Sequence, residues 1–196
     1  IMENIYNIAK FAHVLGFAFM SIPLFNLIVV NERALMGPSF NYETDRYFEN
    51  IIKRGAVRCY VFQFTVFISG LIIVVIGPGI SAMITNWVLA TKTIILFSLM
   101  GLLSYVHFSL QPKIEELLSS FDSNNEPPEN FASMLAPFRI KRKKLATLCL
   151  FLVITAIILG LQTYIRHDPL VTIGLILLAA IFSYRANKSL IRFGWF

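Results

Sequence analysis

Five long apolar stretches constrain this chain more than any other feature: Phe11 to Val30, Cys59 to Gly77, Trp87 to Leu110, Leu145 to Ile165 and Pro169 to Tyr184. A bilayer core needs roughly 20 apolar residues per helical span, so four of the stretches are long enough and the fifth is barely so. Lipid cannot satisfy exposed backbone groups, and the ten-residue alternation of a membrane barrel is absent, so the stretches must be helices. Five such spans use about half of the chain and leave no room for a large water-soluble catalytic domain. The expected fold is all-α, an integral membrane helical bundle with about five transmembrane helices. It forms one domain over residues 1–196, without an internal repeat. A hydrophobic share of 57%, a charged share of 14% and a mean hydropathy of +0.70 lie where a membrane protein lies and a soluble domain does not.

The basic residues fix an expected orientation. The connection after the first stretch carries Arg33, Arg46, Lys53, Arg54 and Arg58, the one after the third carries Lys113, Arg139, Lys141, Arg142, Lys143 and Lys144, and the tail adds Arg185, Lys188 and Arg192. The opposite side holds only Lys10 and Arg166. The positive-inside bias therefore puts the N-terminus outside and the C-terminus in the cytoplasm, in a bacterial cytoplasmic (inner) membrane. The same bias accounts for the net charge of +6, so nucleic-acid binding is not indicated. The first stretch has no basic n-region and no small-residue cleavage site, and it reads as a retained helix. Cys59 and Cys149 lack partner spacing and read as small apolar residues.

Between the spans, apolar residues recur at helical spacing. Tyr47, Phe48, Ile51 and Ile52 suggest an interfacial helix. Ile114, Leu117, Leu118 and Phe121, then Phe131, Met134, Leu135 and Phe138, suggest helices three and four extended past the membrane as a hairpin closed at Ser123 to Pro128. The apolar face of that hairpin suits either partner membrane-protein subunits or the protein's own interfacial helix. Trp87, Tyr105, Tyr164 and Tyr184 sit at span ends as anchors. Gly16, Gly70, Gly101 and Gly160 mark expected helix contacts, Pro23 an expected kink and Gly77-Pro78-Gly79 a tight turn.

An ionisable residue inside a span costs roughly 2.5 to 3.5 kcal/mol at the bilayer centre on insertion scales, so each needs a reason. His13, Lys92 and His107 are the three such residues, while His167 lies beyond the outer end of the fourth stretch. His13 and Lys92 lie at similar depths near the outer face. His107 follows Lys92 by fifteen positions, about 22 Å at the helical rise. His13 and His107 therefore cannot be the two axial ligands of one haem, whose ligand nitrogens lie about 4 Å apart. His13 serves either as a cofactor ligand or in a hydrogen bond between helices. Lys92 either joins it or extends its ammonium to the interface, and His107 serves a second cofactor site or lies at the headgroups. Every Asp and Glu falls outside the spans, and neither a phosphate-binding glycine loop nor a His-Glu-x-x-His motif is present. Scattered methionines give a copper pathway little to run on.

Three fragments together resemble the CopD/HemJ-like group of small bacterial membrane proteins. They are Phe11-Ala12-His13-Val14-Leu15-Gly16, then Arg58 and Tyr60 ahead of Gly70, and finally Trp87, Lys92 and Tyr105-Val106-His107. The resemblance covers roughly the first 110 residues. It implies a bound haem b, with His13 as its ligand and metal-binding residue or as a catalytic-site residue, and Lys92 as a functional companion. The group includes HemJ-type protoporphyrinogen oxidases. Their fourth span opens with an Arg…Asn-Glu-x-Pro pattern, where this chain has Arg142-Lys143-Lys144-Leu145. The leading expectation is a haem-binding electron-transfer or redox-associated subunit in the lipid bilayer, whether or not it acts as an enzyme. The alternatives are a cofactor-free structural subunit of a larger complex, a HemJ-like oxidase, and a metal or small-solute permease.

Overall fold

The computed structural model describes residues 2–37, 40–120, 130–162 and 168–188. The closing turn Ser123 to Pro128, together with Phe121, Tyr164, Ile165, Arg166, His167 and Arg192, lies outside the described residues. Among the described residues there are eight α-helices and no strand: α1 (Met2–Phe19), α2 (Ile22–Leu35), α3 (Tyr42–Ile76), α4 (Ala82–Thr85), α5 (Trp87–Tyr105), α6 (Gln111–Ser119), α7 (Phe131–Leu161) and α8 (Pro169–Lys188). Five units are long and apolar enough to cross a membrane: Met2–Leu35, Tyr42–Ile76, Trp87–Ser119, Phe131–Leu161 and Pro169–Lys188. Large apolar side chains such as Phe11, Val14, Phe64, Ile68, Phe97, Leu177 and Leu178 point outward. A patch that extensive is untenable in water and is the ordinary outer surface of a helical bundle in lipid, so the chain is a multi-pass membrane protein.

Local chemistry sets the breaks. The ring of a proline clashes with the carbonyl four residues earlier, which for Pro23 is that of Phe19, where α1 ends. Pro23 then sits in the first turn of α2, where a missing N–H costs no helical bond. The expected kink at Pro23 is thus a break at Met20 and Ser21, just ahead of it. Pro112 acts on the third unit in another way. It offers no N–H to the carbonyl of Phe108, and the preceding residues Val106–Leu110 widen into a π-helical turn, with the Gln111 amide bonded back to the Val106 carbonyl. The Gly77-Pro78-Gly79 turn forms as the sequence suggests. Gly79 takes a φ of +86°, and its amide bonds to the Val74 carbonyl at 2.8 Å. Asn86 opens α5 by accepting hydrogen bonds from the amides of Val88 and Leu89.

The central core joins α3, α5 and α7 through Val66, Ile95, Leu99, Val153 and Ala156, with Phe17 of α1 and Met20 just after it packed in. Gly16 lets α1 approach α3 closely, since a Cβ there would lie 2.8 Å from Val66 Cγ2. Gly101 is different. Nothing lies within 4 Å of the position its Cβ would take, so it marks no helix contact despite its small size. A second core of Leu27, Leu150 and Ala186 seats α8 against α2 and α7, aided by a hydrogen bond from the Asn31 amide to the Ala186 carbonyl at 3.1 Å. The Gln162 amide also bonds to the Thr172 hydroxyl, joining the end of α7 to α8.

Two expectations change at the end of the bundle that carries the basic residues. The stretch around Phe48 and Ile52 is no separate interfacial helix, because it forms the first turns of the continuous 35-residue α3. The hairpin face is also occupied from within. Ile114 and Leu118 of α6 bury completely against Phe131 and Leu135 of α7, with Phe40 packed edge-on against Phe131 at 4.5 Å between centroids.

Candidate functional site

Two polar centres stand at opposite ends of the bundle. The first is built on His13, whose Nδ1 lies 3.0 Å from the Val66 carbonyl and 3.2 Å from Ser69 Oγ, both on α3. The Ser69 hydroxyl itself donates to the Thr65 carbonyl at 2.5 Å, so the imidazole meets a hydroxyl already held in place. Gly70 makes the approach possible, since a Cβ there would come 3.0 Å from His13 Cε1. A carbonyl partner requires a donor, so Nδ1 carries the hydrogen and Nε2 is left with a lone pair. No hydrogen bond engages Nε2 among the described residues.

Lys92 joins this centre from α5. Phe17, one turn after His13 on α1, packs edge-on to the imidazole at 5.2 Å between centroids, and the Lys92 ammonium lies 6.0 Å from the same ring. On the other side of the ammonium lies α7, where a Cβ on Gly160 would come 3.5 Å from Nζ. His13 and Lys92 therefore both lie beside Phe17, in keeping with their shared depth.

His107 is placed elsewhere, in the π-helical turn, packed edge-on against Tyr60 at 5.8 Å between centroids. Tyr60 precedes Ser69 by nine residues of α3, so the two histidines stand about 13 Å apart along that helix. They cannot serve one metal ion. The Nδ1 of His107 is buried and has no partner among the described residues, while Tyr60 turns its hydroxyl to Ser104 Oγ at 3.0 Å. Among the described residues no group of three or more His, Cys, Asp or Glu side chains could hold a metal ion.

The second centre was not foreseen from the sequence. Asp45 and Glu49, one turn apart near the start of α3, are both buried among three arginines. Asp45 accepts two bonds from Arg33, at 2.9 and 2.7 Å, and one from Arg139 at 2.6 Å. Glu49 accepts two from Arg142, at 2.5 and 2.9 Å, and one from Arg139 Nε at 3.2 Å. Gln111 bridges Glu49 and Arg142, donating to the first at 3.4 Å and accepting from the second at 3.1 Å. Residues from α2, α3, α6 and α7 thus meet at one node. Burial alone would push both carboxyls up. The hydrogen bonds from Arg33 to Asp45 and from Arg142 to Glu49, with the charge of Arg139 on both, hold the two below their ordinary values. Beside the node lies a cavity of about 240 Å³, bounded by α2, α3 and α7.

The fold and its two centres define a five-span helical membrane protein with a His/Lys site at one end and a buried arginine–carboxylate node at the other. No family model matches the sequence, and no curated protein or solved structure is significantly similar to it.

Proposed function

We propose that this protein holds one b-type haem at the His13 end, facing the outer side of a bacterial cytoplasmic membrane, and serves as an electron-transfer or redox-associated subunit. The observation that supports this reading is the hydrogen bond from His13 Nδ1 to the Val66 carbonyl at 3.0 Å. Imidazoles that ligate iron or zinc are typically held by their second nitrogen, which fixes the ring and leaves the other lone pair for the metal. His13 has that arrangement before any metal arrives. Lys92 would supply a positive charge at the same depth, suited to a propionate. The apolar faces of α1, α3 and α5 would exclude water, and the bound haem would supply one-electron redox chemistry. This donor set agrees with the CopD/HemJ resemblance, in which the first-span histidine and third-span lysine are functional. His107 stands apart from this site.

A spectrum of the detergent-purified protein, oxidised and dithionite-reduced, tests the reading. The expected result is a b-type spectrum near one haem per chain, lost in His13→Ala while the variant still inserts and folds. A colourless wild type, expressed with haem in supply, would refute it. That outcome would favour the cofactor-free structural subunit, a second reading supported by the node that ties four helices together.

A further inference from the structure

The cavity beside the arginine node has a chemistry that the proposed haem site does not use. One part of its wall is ionic, made by Arg33, Arg139 and Arg142 with Glu49, and much of the rest is apolar. Three guanidiniums face two carboxylates there, so the node carries one surplus positive charge. Both oxygens of Glu49 are occupied by arginine donors, which leaves its charge compensated. Arg142 is only 3% exposed, and its Nε has no hydrogen-bond partner among the described residues. Arg139 is the most accessible guanidinium of the node, its side chain 20% exposed against 4% for that of Arg142, so an anion in the cavity meets the surplus charge there with Arg142 behind it.

The apolar part of the wall identifies the kind of anion. Val29 and Val30 precede Arg33 by one turn of α2, and Ile52 follows Glu49 by one turn of α3. Because α2 runs toward the basic end and α3 runs away from it, these residues lie on the membrane side of the charges. Ile140 of α7 also lines the cavity and is 54% exposed, so the wall continues onto the outer surface of the bundle. The volume of about 240 Å³ exceeds the roughly 150 Å³ of an apolar cavity that accepts benzene. It is large enough for a phosphate with its glycerol carbons. Phe40, Ala132 and Ala136 close the cavity on the side away from the membrane, so the charges lie between that end and the membrane-side wall, and it is along the membrane-side wall that the carbons of an acidic phospholipid would run from its phosphate.

We propose that this cavity binds the phosphate headgroup of an anionic phospholipid, with Arg139 at the anion site, backed by the neighbouring arginines, and Val29, Val30 and Ile52 against the first carbons of the lipid. The test is native mass spectrometry and thermal denaturation of the detergent-purified full chain. Dioleoyl phosphatidylglycerol, dioleoyl phosphatidylcholine and inorganic phosphate are each titrated separately. Phosphatidylglycerol should bind about fivefold or more tightly than phosphatidylcholine, the ratio expected from one surplus basic charge, and should raise the melting temperature where phosphate does not. Ala136→Phe, which fills the cavity from α7 and leaves every arginine in place, should abolish that preference. Ala132→Leu is read in its place should the first variant fail to fold. Equal binding of the two lipids would overturn the proposal, as would a preference that survives in a folded cavity-filled variant. Protection by inorganic phosphate equal to that by phosphatidylglycerol would overturn the lipid assignment in favour of a soluble anion.

Discussion

Removing the Glu49 carboxylate tests whether the buried node holds the basic end of the bundle together. In Glu49→Met, Arg142 loses the acceptors at 2.5 and 2.9 Å and keeps only Gln111 Oε1 at 3.1 Å. Arg139 loses one bond of 3.2 Å and keeps Asp45 at 2.6 Å. The dominant cost is therefore Arg142, a guanidinium only 3% exposed that cannot shed its proton. Breaking such a pair from one side costs about 3–5 kcal/mol, or two to three and a half orders of magnitude in the unfolding equilibrium. Arg142→Met should cost less, because Glu49 keeps Arg139 and Gln111 as donors. The double variant Glu49→Met/Arg142→Met should recover most of the loss, since both buried charges leave together and methionine fills similar volume. Equilibrium unfolding in mixed micelles with rising dodecyl sulfate, followed by circular dichroism, measures all three. A cost below about 1 kcal/mol for Glu49→Met, or a double variant as unstable as the two single ones combined, would refute the reasoning.

The same node predicts a pH dependence. Asp45 and Glu49 are held below their usual values of 3.8 and 4.5, so their contribution is complete above those values and is lost as the pH falls through the lowered folded-state values. Acid unfolding monitored by circular dichroism should show a loss of stability confined to that acidic range and reduced in Glu49→Met/Arg142→Met. Gly16→Leu should separate α1 from α3, because even its Cβ would lie 2.8 Å from Val66 Cγ2; a loss of about 1–3 kcal/mol in the micelle assay is expected. Gly101→Ala is the opposite case, meeting nothing within 4 Å, and should be neutral or stabilising by up to about 1 kcal/mol in that assay.

The His13 centre was legible in the sequence and the arginine node was not, and the difference lies in what water can do. Inside an apolar stretch an ionisable side chain has no solvent to turn to, so His13 and Lys92 each demand a partner, and counting from the span ends puts the two at one level. The structure places both beside Phe17. What counting could not supply was the partner, since Val66 and Ser69 act through a carbonyl and a hydroxyl that many other positions on α3 also offer. Outside the spans the logic reverses. Asp45, Glu49, Arg139 and Arg142 could each be solvated, and the basic run from Arg139 to Lys144 is accounted for by membrane orientation alone. One signal does separate structure from orientation there. Arg139 and Arg142 are three residues apart, Asp45 and Glu49 four, so each pair shares a helix face. Of the run's charged residues, Lys141 and Lys144 stay exposed while Arg142 is buried, as expected if the planar guanidinium is chosen for two-pronged contact with a carboxylate and the ammonium for hydration. In a basic segment beside a membrane helix, arginines at helical spacing opposite similarly spaced acids are therefore read as packing, and the lysines between them as the orientation signal.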